Sequence, residues 1–203
     1  VAPDRPGADP QALVRRIGLT DADLSGGATV QPLDGGDTVA GLITLDLCGA
    51  RFPSEAHRSA RHQVYVVPPG SRYTDPFGLS NEVVAYRNAA HAAAAMTEWR
   101  AAAAGCPLGV WRHMTVSALP ELRYESLTER HDPHLPATDS SRTTDVVTAR
   151  DSGERRYQLV ILQRHGTVLD AVYVNSGSPL TAAQTAAANH LADITGRRLI
   201  ALA

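Results

Sequence analysis

The eight histidines are the residues best suited to acid–base or metal chemistry, and they are densest at His131-Asp132-Pro133-His134. Loops carry function more often than the elements they join, so two imidazoles and a carboxylate there could form part of a metal site or an acid–base pair. Zinc needs three or four converging ligands, and only His131, Asp132 and His134 lie at short spacing. A solvated polar loop is therefore the expectation, with no metal. His57 and His62 stand at a spacing that neither a helix nor a strand places on one face. A serine nucleophile asks for G-x-S-x-G between a strand and a helix. Asn175-Ser176-Gly177-Ser178-Pro179 has that setting without the signature, and reads as a turn. There is no Walker loop and no G-x-G-x-x-G; Gly26-Gly27 and Asp34-Gly35-Gly36-Asp37 read as ordinary turns. All nineteen cationic side chains are Arg, so lysine Schiff-base chemistry is closed to this chain.

Without a catalytic motif, recognition is the chemistry left to consider. Glu121, Arg123 and Glu125 alternate with Leu122 and Tyr124, which gives a strand one charged face. That face is either solvated or part of a polar groove in which Arg123 meets an anionic ligand. Tyr65 shares a strand face with Gln63, and Tyr86 shares one with Glu82 but reads as core. The candidate ligand-binding residues are Tyr65, Arg123, Tyr124, His131 and His134. No cofactor is expected. A net charge of −2 lacks the concentrated basic face of a nucleic-acid binder, and no polybasic run points to a membrane surface.

The two cysteines allow one intramolecular pairing, Cys48 with Cys106. A disulfide there closes about 59 residues and removes denatured-state entropy worth roughly 4 kcal/mol. Two buried free thiols are the alternative; a metal is disfavoured because no ligand stands at short spacing from either cysteine. The disulfide is the expectation, and it implies an oxidising compartment.

The elements that must position these residues follow from periodicity and punctuation. Pro10 to Ile17 reads as a short helix with Leu13, Val14 and Ile17 on one face. Strands are expected at Val39 to Leu47, Ala60 to Val67 and Asn81 to Arg87, with a loop from Ser71 to Leu79. Asn88 caps an Ala-rich helix over 89–104, anchored by Met96 and Trp99 and stopped by Gly105 and Pro107. Further strands are expected at Arg112 to Ser117 and Glu121 to Leu127, before a polar break from Glu129 to Ser141. Thr143 to Arg150, Tyr157 to Arg164 and Val168 to Asn175 are joined by hairpin-length links and form an antiparallel meander. Thr181 caps a last helix from Ala182 to Thr195, which Gly196 ends; Arg197 to Leu202 extends it or forms a short strand.

This order specifies an α+β domain: an antiparallel sheet with helices packed on one face, including a short N-terminal and a C-terminal helix. Residues 1–9 read as a flexible segment and 10–203 as one domain, expected to be monomeric. The Pro-rich opening suits a chain cut behind a signal sequence, a lipid anchor or a tethering linker. No run reaches the 18 or so apolar residues of a membrane span. The absence of Lys and the abundance of Ala are what a high-GC, actinobacterial coding sequence produces.

Placed in this frame, several strings form a pattern. A short helix carries Ala12-Leu13-Val14, and Cys48 follows Leu45-Asp46-Leu47. A helix with central Met96-Thr97-Glu98-Trp99 ends in Gly105-Cys106-Pro107, and late strands through Leu169 to Val174 run into a final Ala-rich helix. The pattern resembles the extracellular sensor domains of PknH-type actinobacterial receptor kinases and related lipoproteins, over residues 10 to 200. The resemblance implies an α+β domain with a cleft that senses or carries an extracellular ligand without catalysis. Those domains carry two disulfides, whereas this chain can form one. An exported sensor or carrier of a small molecule or cell-envelope partner, with a membrane tether preceding it, is the functional expectation. The alternatives are a hydrolase or cyclase using His131 or His134, and a structural or protein-interaction module of the envelope.

Overall fold

The computed structural model describes residues 9–40, 42–70, 78–113 and 121–203. The flexible entry expected at 1–9 lies outside them except for Asp9, as do most of the 71–79 loop and the strand end at 114–117. Asp9 caps helix α1 (Pro10–Ile17) by accepting from the Gln11 N–H at 2.9 Å, and Pro10 opens it where no donor is needed. Strands β1 (Thr29–Pro32), β2 (Arg58–Val67) and β3 (Gly78–Tyr86) come next, then helix α2 (Ala89–Ala104). Strands β4 (Trp111–Arg112), β5 (Leu122–Arg130), β6 (Asp139–Ala149), β7 (Arg155–His165) and β8 (Val168–Ser176) lead to helix α3 (Ala182–Leu202).

All eight strands form one antiparallel sheet in the order β1-β2-β3-β8-β7-β6-β5-β4. Two meanders, β1 to β3 and β4 to β8, therefore meet where β3 pairs with β8. Helix α2 carries the chain from the centre of the sheet to its far edge and must cross one face to do so. It packs there through Ala92, Ala95, Met96 and Trp99 on Val84, Tyr86, Val160, Leu162, Leu169 and Ala171. Its many alanines allow close approach, leaving Met96 and Trp99 to fill the remaining depth.

The α+β class and the antiparallel sheet are as expected, but the helices do not share a face. The period of a strand sends Val83, Ala85, Leu159, Ile161, Val172 and Val174 to the side opposite α2, where α1 and α3 cover them. The central strands are consequently apolar on both sides, as in Leu159-Val160-Ile161-Leu162. Such unbroken runs mark a sheet covered on both faces.

The segment expected as a strand at 39–47 is irregular over its described residues. Its apolar side chains are buried because the segment lies over the sheet: Leu45 and Leu47 are core residues. Charged side chains stand in for ladder partners. Glu55 accepts from the backbone N–H of Thr44 at 2.8 Å and of Leu45 at 3.3 Å, and Arg58 donates to the carbonyls of Val39, at 3.0 Å, and Leu42. Cys48 bonds Cys106 across a Cα separation of 5.6 Å, tying this overlay to the end of α2. Gly49 (φ +65°) is required beside it, since a Cβ there would stand 2.6 Å from the His113 carbonyl.

Strand β1 is not among the expected elements, β3 begins at Gly78 and not at Asn81, β5 runs to Arg130 and not to Leu127, and two further boundaries move for a visible reason. Strand β6 begins at Asp139 and not at Thr143, because Ser140 and Ser141 are buried with satisfied hydroxyls. Ser140 donates to the Asp132 carbonyl at 2.9 Å and Ser141 to Glu129 at 2.5 Å. Gly196 does not end α3, which continues to Leu202. Its missing side chain admits Gln163, whose Oε1 would lie 2.4 Å from a Cβ at this position.

Candidate functional site: a cleft over the sheet

A cleft of about 300 Å³ opens on the α2 face, bounded by the sheet, the 43–47 overlay and α2. Register builds its floor. Tyr65, Ser80, Tyr173 and Val160 form one cross-strand row, and Gly78, Asn175, Gln158 and Asp145 form the next. Gln63 and Glu82 extend the floor, while Thr44, Asp46, Trp99 and Tyr124 stand in the walls.

The deep end is held by buried charge. Arg61 pairs with Glu82, and both are almost fully buried. Glu82 also accepts from Thr44 Oγ1 at 2.9 Å and from the Tyr173 hydroxyl at 3.1 Å, so its lone pairs are well used. Arg58 reaches Thr44 Oγ1 at 3.1 Å and Glu55 at 3.3 Å. Burial pushes the Glu55 carboxyl above its ordinary range, against the pull of the Thr44 N–H and Arg58. Burial and the neighbouring Glu82 likewise hold the Tyr173 phenol well above its usual value, so it remains a donor.

At the other end, Trp99 donates its indole N–H to Thr143 at 2.9 Å, and Gln158 donates to Asn175 at 2.6 Å. Tyr124 is buried, and burial with the nearby Asp145 raises its phenol, opposed by a backbone hydrogen bond from Cys48. Asp145 is 5% exposed, and its Oδ1 has no hydrogen-bond partner among the described residues. Burial alone pushes its carboxyl up to about 7.

The sequence matches no family model and no curated protein. Among solved structures it is similar to the extracellular domain of PknH from Mycobacterium tuberculosis, with 15% identity and a TM-score of 0.57. The alignment covers 94% of this chain and 100% of that one. The two share a fold. The Cys48–Cys106 disulfide and this extracellular-domain fold agree with an extracytoplasmic location. No helix of the described residues is long and apolar enough to cross a membrane.

On this PknH-like scaffold the five candidate residues lie in three places. Tyr65 and Tyr124 line the cleft. Arg123 sits at the β4–β5 edge with its guanidinium 5.0 Å from the Trp111 ring, outside the cleft. His131 and His134 line a second, larger cavity of about 660 Å³ beside α3, with Arg142, Asn189 and His190. There His131 Nδ1 meets the Ser140 hydroxyl at 3.1 Å, and Arg142 pairs with Asp132 at 2.7 Å. Among the described residues no group of three or more His, Cys, Asp or Glu side chains is placed to hold a metal ion. Ser176 accepts from the Ser178 backbone N–H at 3.2 Å, and Thr181, with Gln184, caps α3. His57 stacks on His91 at 3.7 Å, while His62 turns to Asp37 at 2.7 Å.

Sequence reasoning missed Asp145, Glu82, Gln158, Tyr173 and Asn175. The available signal was a polar patch at one end of a strand face that is otherwise apolar: Ser80 and Glu82 on β3, Tyr173 and Asn175 on β8, and Gln158 ahead of Val160 and Leu162 on β7. Recognising it needs the register, which joins strands distant in sequence.

Proposed function

We propose that this chain is the sensor or carrier domain of an exported protein, and that it binds a small molecule in the cleft between the sheet and the 43–47 overlay. The observation that carries this reading is the buried Asp145 carboxylate oxygen on the cleft floor, which has no hydrogen-bond partner among the described residues. A folded protein keeps such a group at a cost of a few kcal/mol unless an occupant answers it. A volume of about 300 Å³ is at the small end of ligand sites, and its mixed aromatic and amide lining suits an ordered small molecule. The fold shared with an extracellular domain and the disulfide support the exported setting.

The test is the mass of the protein from its native host, gently ionised and then denatured. A discrete mass lost on denaturation is expected, and Val160→Trp, which fills the cleft floor, should abolish it. A mass retained equally by the V160W variant would move the binding site elsewhere. The cavity around His131 and His134 would then be the next place to look.

A further inference from the structure

We propose that the cleft selects a small organic cation, an ammonium or guanidinium bearing at least one N–H, and that Asp145 receives it. This deepens the reading above and rests on it. Asp145 points from β6 into the cleft, and the polar neighbours that could serve it are turned elsewhere. Gln158 on β7 donates to Asn175, and the Trp99 indole on α2 donates to Thr143. Among the described lining residues the remaining titratable groups are acidic or phenolic: Asp46 on the overlay, Tyr124 on β5, Tyr65 on β2, Tyr173 on β8 and, deeper in, Glu82 on β3.

The charge of the cleft decides between ligand classes. Its described lining contains three carboxylates, Asp46, Glu82 and Asp145, and no Arg or His. Arg61 beneath the floor answers Glu82. Asp145 is left without an answering group, so its ionised form repels an anion, and a neutral alcohol would satisfy a hydrogen bond while leaving that charge buried. A cation answers both, and the rings of Tyr65 and Tyr124 in the same cleft favour positive charge over their faces. With the Asp145 carboxyl pushed up to about 7 by burial, the empty cleft holds it partly protonated at neutral pH. A cation requires the ionised form, so its affinity rises with pH through about 7 and levels off above.

Three probes of one shape separate the possibilities: benzylamine, benzyl alcohol and benzoate, titrated into the ¹⁵N-labelled chain while the Trp99 indole resonance is followed. Benzylamine is expected to bind at least about tenfold more tightly than either of the others. Asp145→Asn should reduce that affinity by about tenfold or more and abolish its rise with pH. Equal binding of benzyl alcohol, or benzylamine binding unchanged in D145N, overturns the cation assignment and leaves the cleft reading standing. If no probe moves the indole resonance, both readings fall. Should D145N not fold, a pH-independent benzylamine affinity in the unsubstituted chain overturns the proposal.

Discussion

Asp145 couples binding to stability. Its folded-state carboxyl sits at about 7, far above its ordinary value of 3.8, so the folded chain holds a proton that the unfolded chain has released. Stability from this residue is fully present below pH 4 and is lost as pH rises to about 7. Asp145→Asn should flatten that decline and stabilise the empty protein above pH 7 by about 1–3 kcal/mol, measured by urea unfolding at several pH values. A residue kept for stability would give the opposite sign. The contrast is Asp170, fully buried and raised to about 6, but hydrogen-bonded to Asn81 at 2.7 Å and Thr195 at 2.6 Å. Asp170 ties β8 to β3 and α3, so Asp170→Asn should destabilise by leaving its partners misaligned. The sequence does not tell their roles apart: Asp170 sits in the apolar run Val168 to Val174 and Asp145 among Thr and Val, and only the fold brings Asn81, Gln163 and Thr195 to bond one while leaving the other's Oδ1 without a hydrogen-bond partner.

At the scale of elements, the sequence was most legible where a rule has one physical outcome. Asn88 and Thr181 cap α2 and α3, and the β6–β7–β8 meander follows from short links between β-branched runs. It misled where burial and regular structure part company. Leu42 to Leu47 is apolar like a strand but is held by Glu55 and Arg58. Arg58→Met should therefore cost about 3–5 kcal/mol and expose the Thr44 and Leu45 amides to hydrogen exchange, with β2 and β3 still protected. Gly196 misled for the converse reason. Alanine normally stabilises a helix interior by about 1 kcal/mol over glycine. Here Gly196→Ala should lower the urea midpoint, because Gln163 is pinned between the Ala192 carbonyl at 2.6 Å and the Ala137 N–H at 3.4 Å and cannot yield. A stabilised variant would restore the reading of this glycine as a simple helix stop.

For the whole molecule, the carboxylates divide into two groups with opposite pH behaviour. Asp23, Asp37, Asp132 and Asp139 are held below their ordinary value by Arg partners through hydrogen bonds and charge, outweighing their own partial burial. Their contribution is present above about pH 4 and is lost below it. Asp145 and Asp170 penalise the folded state as pH rises from 4 toward 7. His91, lowered by burial beside His57, instead adds stability as pH rises through its unfolded value near 6.5. Asp145 and Asp170 together outweigh one partly buried imidazole, so thermal unfolding should show maximal stability on the acid side of neutrality, near pH 4 to 5. Reducing Cys48–Cys106 should lower stability by about 4 kcal/mol, and the 43–47 overlay should loosen first because α2 then loses its covalent hold on it.

The two faces of the sheet also set a direction in space. Helices α1 and α3 lie side by side, with Arg198 donating to the Gly18 carbonyl at 2.9 Å and Leu13 and Leu202 meeting the same apolar cluster. Residue 10 and residue 202 are thus on the back of the molecule, and the cleft is on its front. A support attached at residue 10 or at residue 202 meets the back, leaving the opening turned toward whatever diffuses past. Immobilising the chain at either of these positions should give the same probe affinity as in free solution.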